Sequence, residues 1–181
     1  VMGAAIGHSP VVQIGFNRDI AWTHTVSTGK RFTLFELELA PDDPRSYVLD
    51  GKVVPMTAQR VHYEVVNAQG LVQKREHTIW QTRFGPVLEV PQAGLAWTRT
   101  RAFALKDANT LNLRAIDIWL GLNRDRSVGE MRATLAKLGV PWVNTIAADR
   151  DGRAMYADVS VVPDVDAAQL QRCAPSKPAA A

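Results

Sequence analysis

The sequence predicts an α+β fold built mainly from antiparallel sheet, with one or two helices and a protruding β-hairpin. Strand patterns separated by short turns fill the first two thirds of the chain, helical spacing of apolar residues begins at residue 112, and a strand pattern returns after residue 141. The chain has 181 residues, 46% of them hydrophobic, which is enough for a packed core. One domain is predicted over residues 1–163, followed by a Pro- and Ala-rich tail over residues 164–181.

The first strands surround a polar turn. Residues 10–16 and 20–26 are predicted to pair antiparallel across Asn17, Arg18 and Asp19. In residues 31–39, Phe, Leu and Leu alternate with Glu, which is typical of a half-buried strand.

Two hairpins follow these strands. Asp50-Gly51 is a two-residue turn signal between residues 47–49 and 52–54. Residues 59–66 are predicted to pair with residues 71–80 and to form the protruding hairpin, because one face of this ribbon carries few large apolar residues.

Helical patterns occupy the stretch after residue 112. Ser127 with Glu130 three residues later has the form of a capping box, and Gly139 is predicted to end this second helix before Pro141. The strand that follows spans residues 142–148 and turns at Asp151-Gly152 into a strand over residues 153–161. Apolar residues at helical spacing define the first helix, over 112–122, by Leu113, Ala115, Ile116, Trp119 and Leu120, and the second by Val128, Met131, Leu135 and Leu138.

Composition excludes several classes of function. The net charge is only +3 and the basic residues are scattered, so no nucleic-acid partner is predicted. No apolar run approaches the roughly 20 residues that a membrane span needs. The histidines, His8, His24, His62 and His77, lack the spacing of a zinc site, and Cys173 is the single cysteine, so neither a metal nor another cofactor is predicted.

Individual residues leave alternatives open. Ser9 follows Gly7 but lacks the second glycine of a nucleophile elbow, which favours a plain loop over a nucleophile. His24 is interpreted as a histidine hydrogen-bonded beside the core rather than as a proton-transfer group. Each of the five tryptophans, taken alone, is more typical of packing than of a ligand pocket.

Three separated segments carry a resemblance to a known family. They are Gly15–Val26 with the residues up to Leu39, Arg101–Asn109, and Val140–Asp149 continuing to Ala154–Asp158. Their order and spacing resemble the catalytic β-subunit of the penicillin acylase family of N-terminal-nucleophile hydrolases. The wording Trp-Thr-His-Thr-Val and Pro-Trp-Val-Asn-Thr is most similar to the branch of N-acyl homoserine lactone and aculeacin acylases.

The resemblance implies part of a four-layer αββα sandwich and an N-terminal serine that attacks an amide carbonyl. In that family the backbone N–H at the position of Val26 stabilises the oxyanion, and a downstream asparagine supplies a second donor. Asn144 lies in a different motif and is not assigned that role. Because the chain opens on Val1 and both ends look cut, we expect a piece of a larger polypeptide that contains neither the serine nor the second donor, and that is inactive by itself.

The resemblance also places an acyl pocket. Trp119, Trp142 and Val143 match positions that line it, which reverses the packing interpretation of these two rings. His8 and Ser9 fall where relatives more often carry glycine or an apolar residue, and a more polar pocket mouth is expected if they face it. Penicillin acylases bind calcium through acidic residues just after the oxyanion strand. Residues 27–33 carry Lys30 and Arg31 instead, so no calcium is predicted there.

The function implied for the parent protein is removal of a fatty acyl chain from N-acyl homoserine lactones or related compounds, a quorum-quenching activity. The alternatives are a β-lactam acylase and, from another class, a non-catalytic binding module. The partners implied are the acylated amide substrate and the α-subunit of the same autoprocessed precursor, without a membrane span. A periplasmic or secreted address follows from the family alone.

Overall fold

The structure is a computed structural model that describes residues 1–7, 9–174 and 176–177, so His8 lies outside the described residues. The described chain forms two compact units. The first comprises Val1–Arg31 and Ala108–Asp164, and the second comprises Phe32–Asp107 and the described residues from Val165 onward. In chain order the elements are β1 (Met2–Ala4), β2 (Ile14–Phe16), β3 (Ile20–Val26), β4 (Phe32–Ala40), β5 (Asp43–Leu49), β6 (Lys52–Pro55), β7 (Thr57–Val66), β8 (Val72–Thr82), β9 (Gly85–Leu88), β10 (Arg101–Asp107), α1 (Ala115–Arg124), α2 (Val128–Leu135), β11 (Val143–Asp149), β12 (Ala154–Asp158) and α3 (Ala167–Arg172).

The first unit is built on a five-stranded antiparallel sheet in the order β1-β2-β3-β11-β12. Alternate residues of β3 and β11 face α1 and α2 and form the core. Trp22 is 4% exposed there, and its indole N–H donates to the Gln13 carbonyl at 2.7 Å. The buried members of this core cluster are Ile20, Trp22, Ile118, Leu122, Met131, Leu135, Val140 and Ala147.

The second unit contains a seven-stranded antiparallel sheet in the order β6-β5-β4-β10-β9-β8-β7. The alternation predicted for β4 is confirmed, since Leu37 and Leu39 are buried while Glu38 is exposed. Both predicted hairpins are confirmed. Asp50 and Gly51 have φ values of 51° and 74°, the left-handed conformation that a two-residue turn of this kind requires.

The longer hairpin, β7 with β8, is exposed over most of its length. His62 and His77 lie on its two arms, as predicted, and His62 Nδ1 lies 3.5 Å from a carboxylate oxygen of Glu76. These imidazoles therefore belong to a solvated ribbon.

The strand predicted over residues 10–16 is wrong in extent, because only Ile14–Phe16 is strand. The residues before it form a loop that covers the core, with Val11 and Gln13 buried. The Gln13 side chain accepts a hydrogen bond from the Ile6 N–H at 2.6 Å, and the Gln13 N–H donates to the Ala4 carbonyl. These bonds also stabilise β1, which no sequence pattern predicted.

The first helix begins at Ala115 rather than near residue 112, and its buried face differs from the predicted one. Ile118 and Leu122 are buried, whereas Leu113 is 89% exposed. Asn112 lies outside the helix because its amide donates to the Leu138 carbonyl, which holds the chain in a loop.

The predicted cap of the second helix at Ser127 is confirmed, although the Glu130 carboxylate accepts the Arg126 N–H at 2.8 Å rather than the Ser127 N–H. The predicted end of this helix is wrong. Ser127 Oγ accepts the Glu130 N–H at 3.2 Å. The helix ends at Leu135, and Leu138, with φ of 56°, takes the left-handed conformation expected of Gly139. Gly139 is needed for space instead, since a Cβ there would lie 2.1 Å from Ile118 Cγ1.

The predicted tail contains the six-residue helix α3, which begins at the Asp166 side chain and buries no residue. Of the helices in the described part of the chain, none combines the length and hydropathy needed to cross a membrane.

Candidate active site

The end of β3 presents a backbone amide outward. Val26 is paired with Val143 of β11, and the Ser27 N–H donates to the Trp142 carbonyl at 2.8 Å. Because successive N–H groups of a strand point in opposite directions, this bond turns the Val26 N–H away from β11. On that other side the β2 ladder has already ended at Trp22. The Val26 amide is thus directed to a partner outside the β3–β11 ladder.

Side chains behind this amide fix the strand end. Asn144 Nδ2 donates to the Val26 carbonyl at 3.1 Å and to Thr25 Oγ1 at 3.2 Å, and Asn144 Oδ1 accepts the Tyr156 hydroxyl at 2.9 Å. Ser27 Oγ donates to an Asp158 carboxylate oxygen at 2.7 Å. The Asn144 amide is occupied in holding β3 against β11. Sequence reasoning did not find this clamp, although the register of the two strands, once known, places the residues together.

His24 lies two residues before Val26 on the same face of β3. Trp119 Nε1 of α1 donates to His24 Nε2 at 3.2 Å, with the two rings at an interplanar angle of 63°. On the other side of the imidazole, Nδ1 lies 3.4 Å from the backbone carbonyl oxygen of Asn144 and 3.2 Å from Thr145 Oγ1. Burial lowers the pKa of His24, and the hydrogen bond to the Asn144 carbonyl partly offsets this. The imidazole is hydrogen-bonded beside the core, as the sequence interpretation holds.

Trp142 lies just before β11 and is 43% exposed. The Arg31 guanidinium sits over its ring, 4.1 Å from the ring centroid, although Arg31 itself is only 8% exposed. A cation at this distance from an indole face is attracted by the ring electrons. The sequence predicts Arg31 only as a charge that repels calcium, and no sequence signal indicates this stacking on Trp142.

The structure brings the predicted site residues to one end of the β3–β11 pair. Val143 opposes Val26, Trp142 precedes Val143, and Trp119 reaches β3 through His24. Trp119 and Val143 also pack against the same core cluster. Ser9, predicted to be a loop residue, donates its hydroxyl to the Val11 carbonyl at 3.3 Å, and His8 lies outside the described residues.

Acidic and metal-ligating side chains are not concentrated here. Within residues 1–7, 9–174 and 176–177, no group of three or more His, Cys, Asp or Glu side chains is close enough to hold a metal ion. What the arrangement offers is a fixed backbone donor beside an aromatic and aliphatic wall.

Comparison with known proteins identifies the family. The sequence model of penicillin amidases matches residues 1–180. The chain belongs to the penicillin amidase family. The resemblance carried by the three sequence segments is thereby confirmed.

Within the penicillin amidase family, the chain is similar to an acyl-homoserine lactone acylase and to an aculeacin-A acylase. It is 45% identical over 174 residues to the acyl-homoserine lactone acylase PvdQ of Pseudomonas putida, covering 96% of this chain and 22% of that protein. It is 43% identical over 177 residues to the aculeacin-A acylase of Actinoplanes utahensis, covering 97% of this chain and 22% of that protein. The chain therefore spans about a fifth of the length of the curated relatives it matches.

The fold is shared with a solved family member. The thermostable penicillin G acylase from Alcaligenes faecalis superposes with a TM-score of 0.75 at 23% identity, covering 90% of this chain and 28% of that chain. This likeness confirms the predicted fold class, in which antiparallel sheet dominates.

Proposed function

We propose that the full-length protein containing this chain is an amidohydrolase that removes a fatty acyl chain from N-acyl homoserine lactones or related acylated compounds. The observation that carries the proposal is the Val26 amide, whose N–H the β3–β11 register directs away from β11 at the end of the strand, beyond the last residue paired with β2. The names of the relatives that are 45% and 43% identical supply the class of substrate.

The Val26 N–H is proposed to stabilise the oxyanion. The nucleophile is a serine at the N-terminus of the catalytic subunit, outside this chain, whose hydroxyl attacks the amide carbonyl while its own α-amine takes the proton. Negative charge then develops on the carbonyl oxygen, and a donor already fixed in place stabilises it without reorganisation. An asparagine elsewhere in the full-length protein supplies the second donor. Collapse of the intermediate breaks the C–N bond, the α-ammonium returns its proton to the leaving amine, and the acyl group stays on the serine oxygen as an ester. Water, deprotonated by the same α-amine, then hydrolyses this ester to the fatty acid and restores the serine.

The acyl chain is proposed to lie against Trp119, Trp142 and Val143. Burial of an alkyl chain is favourable by about 0.8 kcal/mol per CH₂, so longer chains are preferred until the pocket ends. Stacking of the Arg31 guanidinium on the Trp142 ring contributes to holding the ring in place.

The remaining parts of the proposal concern the whole protein. Residues 1–163 form part of the catalytic domain. The α-subunit of the same autoprocessed precursor completes the enzyme, which acts in the periplasm or after secretion.

The test is to express the full-length protein and measure release of homoserine lactone from substrates with acyl chains of increasing length. Release that rises with chain length supports the proposal. Phenylacetyl and glutaryl substrates are assayed in parallel, and hydrolysis of these alone would indicate a β-lactam acylase. No hydrolysis of any acyl amide would reject the enzyme and leave a binding module.

A further inference from the structure

Within the described part of the chain, one hydrogen bond orients the Trp119 indole. Its ring lies on α1, and its N–H points at His24 Nε2 of β3, 3.2 Å away. Trp119 is only partly buried, although it packs against the core cluster of the first unit. The hydrogen bond therefore contributes to fixing the orientation of the ring.

The contact also fixes the tautomer of His24. An indole N–H is only a donor, so His24 Nε2 must be the acceptor, and the neutral imidazole carries its proton on Nδ1. That proton points toward the Asn144 carbonyl and Thr145 Oγ1 of β11, at 3.4 and 3.2 Å. His24 thus joins α1, β3 and β11 through both of its ring nitrogens.

The joined elements are the ones that carry the proposed site. Val26 follows His24 by two residues on the same face of β3, and Val143 lies opposite Val26. A shift of the indole would move a wall of the acyl pocket relative to the oxyanion donor. A displacement of about 1 Å is enough to lower a rate substantially when reacting groups must be held in a fixed geometry.

We propose that His24 is a positioning residue for the acyl pocket: through Nε2 it holds the Trp119 indole, and through Nδ1 it ties that wall to the strand pair that carries Val26. The inference rests on the proposed function and adds a determinant of chain-length preference that does not touch the reacting atoms.

Two substitutions of His24 separate its two contacts. His24→Gln places an amide oxygen near the Nε2 position and can still accept the Trp119 N–H. His24→Asn is shorter, keeps a polar group near Nδ1 and loses the contact with Trp119. Trp119→Phe keeps an aromatic ring and removes the donor, and the double variant His24→Asn/Trp119→Phe completes a cycle.

The measurement is kcat/KM of the full-length enzyme for a dodecanoyl and a hexanoyl homoserine lactone. Their ratio does not depend on how much enzyme is correctly folded. Because one net hydrogen bond corresponds to about 1 kcal/mol, we expect the ratio to fall about fivefold in His24→Asn and in Trp119→Phe. The double variant should fall no further than the lower single variant, and His24→Gln should stay within about twofold of the wild type.

Each other result counts against the inference. Three results would show that His24 does not act through the indole. They are an unchanged kcat/KM ratio in Trp119→Phe, equal falls of the ratio in His24→Gln and His24→Asn, and falls that multiply in the double variant. If His24→Asn does not fold, Trp119→Phe and His24→Gln decide the matter between them. A wild-type protein that hydrolyses neither substrate overturns the proposed function itself, whereas an active wild type with unaffected variants overturns only the role of His24.

Discussion

Substitution of Val26 by proline tests the oxyanion role of its amide. Proline removes the N–H, and at most strand positions it would also remove a ladder hydrogen bond. At Val26 it does not, because the Ser27 N–H, rather than the Val26 N–H, bonds to the Trp142 carbonyl of β11. The preceding residue, Thr25, is already extended, as a residue before proline prefers.

The size of the effect follows from what is lost. Removal of one oxyanion donor lowers kcat by about 100- to 1,000-fold, or about 2.7–4 kcal/mol. Val26→Ala keeps the amide and truncates a side chain that is 73% exposed, so we expect kcat within a few-fold of the wild type. Thr25→Pro is the matched structural control. Thr25 opposes Asn144 in a hydrogen-bonded pair of β3 and β11. Loss of the Thr25 N–H should therefore lower the free energy of unfolding by about 1 kcal/mol or more.

The assay is the initial rate of fatty-acid release at saturating substrate, normalised to the mature subunit quantified on a gel, with circular dichroism melts of each variant. The expected pattern is a large loss of kcat with little change in melting temperature for Val26→Pro, and a lowered melting temperature for Thr25→Pro. A folded Val26→Pro enzyme with kcat within threefold of the wild type would refute the assignment of Val26 as a donor.

Three further predictions concern the stability of the full-length protein, measured by thermal or urea denaturation. Gly139→Ala should lower the free energy of unfolding by about 1–3 kcal/mol, because its Cβ would lie 2.1 Å from a side-chain carbon of α1. Gly129→Ala is the control: its nearest atom would be 3.8 Å away, so it should raise the free energy of unfolding by up to about 1 kcal/mol, and equal effects of the two substitutions would contradict the packing argument. Leu122→Ala, at a fully buried position, should cost about 2–5 kcal/mol and lower the urea midpoint, and a loss below 1 kcal/mol would argue against the core as described. Burial lowers the pKa of His24, so below about pH 6.5 the folded state binds fewer protons than the unfolded state and the free energy of unfolding should fall as the pH drops. His24→Gln should make this fall shallower between pH 7 and 5, and an unchanged slope would contradict the prediction.

Local patterns were sufficient for much of the fold. The bounds of β3 are those predicted from residues 20–26, and the helix cap at Ser127 and the turn at Asp50-Gly51 are where the sequence places them. The cap and the turn depend on contacts within a few residues of chain, and the extent of β3 is evident from its own residues although it pairs with the distant strand β11. The predictions failed where a distant partner decides the conformation. Gly139 faces Ile118 across a helix contact, and this tertiary constraint, rather than the end of α2, explains the glycine.

The residues of the candidate site could be identified from the sequence, but most of their contacts could not. Val26 and Val143 were identified by family resemblance, and their pairing across β3 and β11 requires only the strand register. The contacts of His24 and Arg31 could not be predicted in this way. His24 meets Trp119 across 95 residues of sequence, and Arg31 reaches Trp142 across a similar separation. No periodicity within a single element specifies such a pair.

The alternation of β3 nevertheless suggests why these contacts occur where they do. Ile20 and Trp22 are buried in the core, His24 is partly buried, and Val26 is largely exposed, all on one face of the same strand. The Val26 amide must be held in a fixed position, but burial in the apolar core decreases along β3 from Ile20 toward Val26. A hydrogen-bonded imidazole at the third position can help to hold the strand there, because its two ring nitrogens fix it to α1 and β11 where apolar cover has ended. An apolar residue of similar size would pack at this position but could not orient either neighbour.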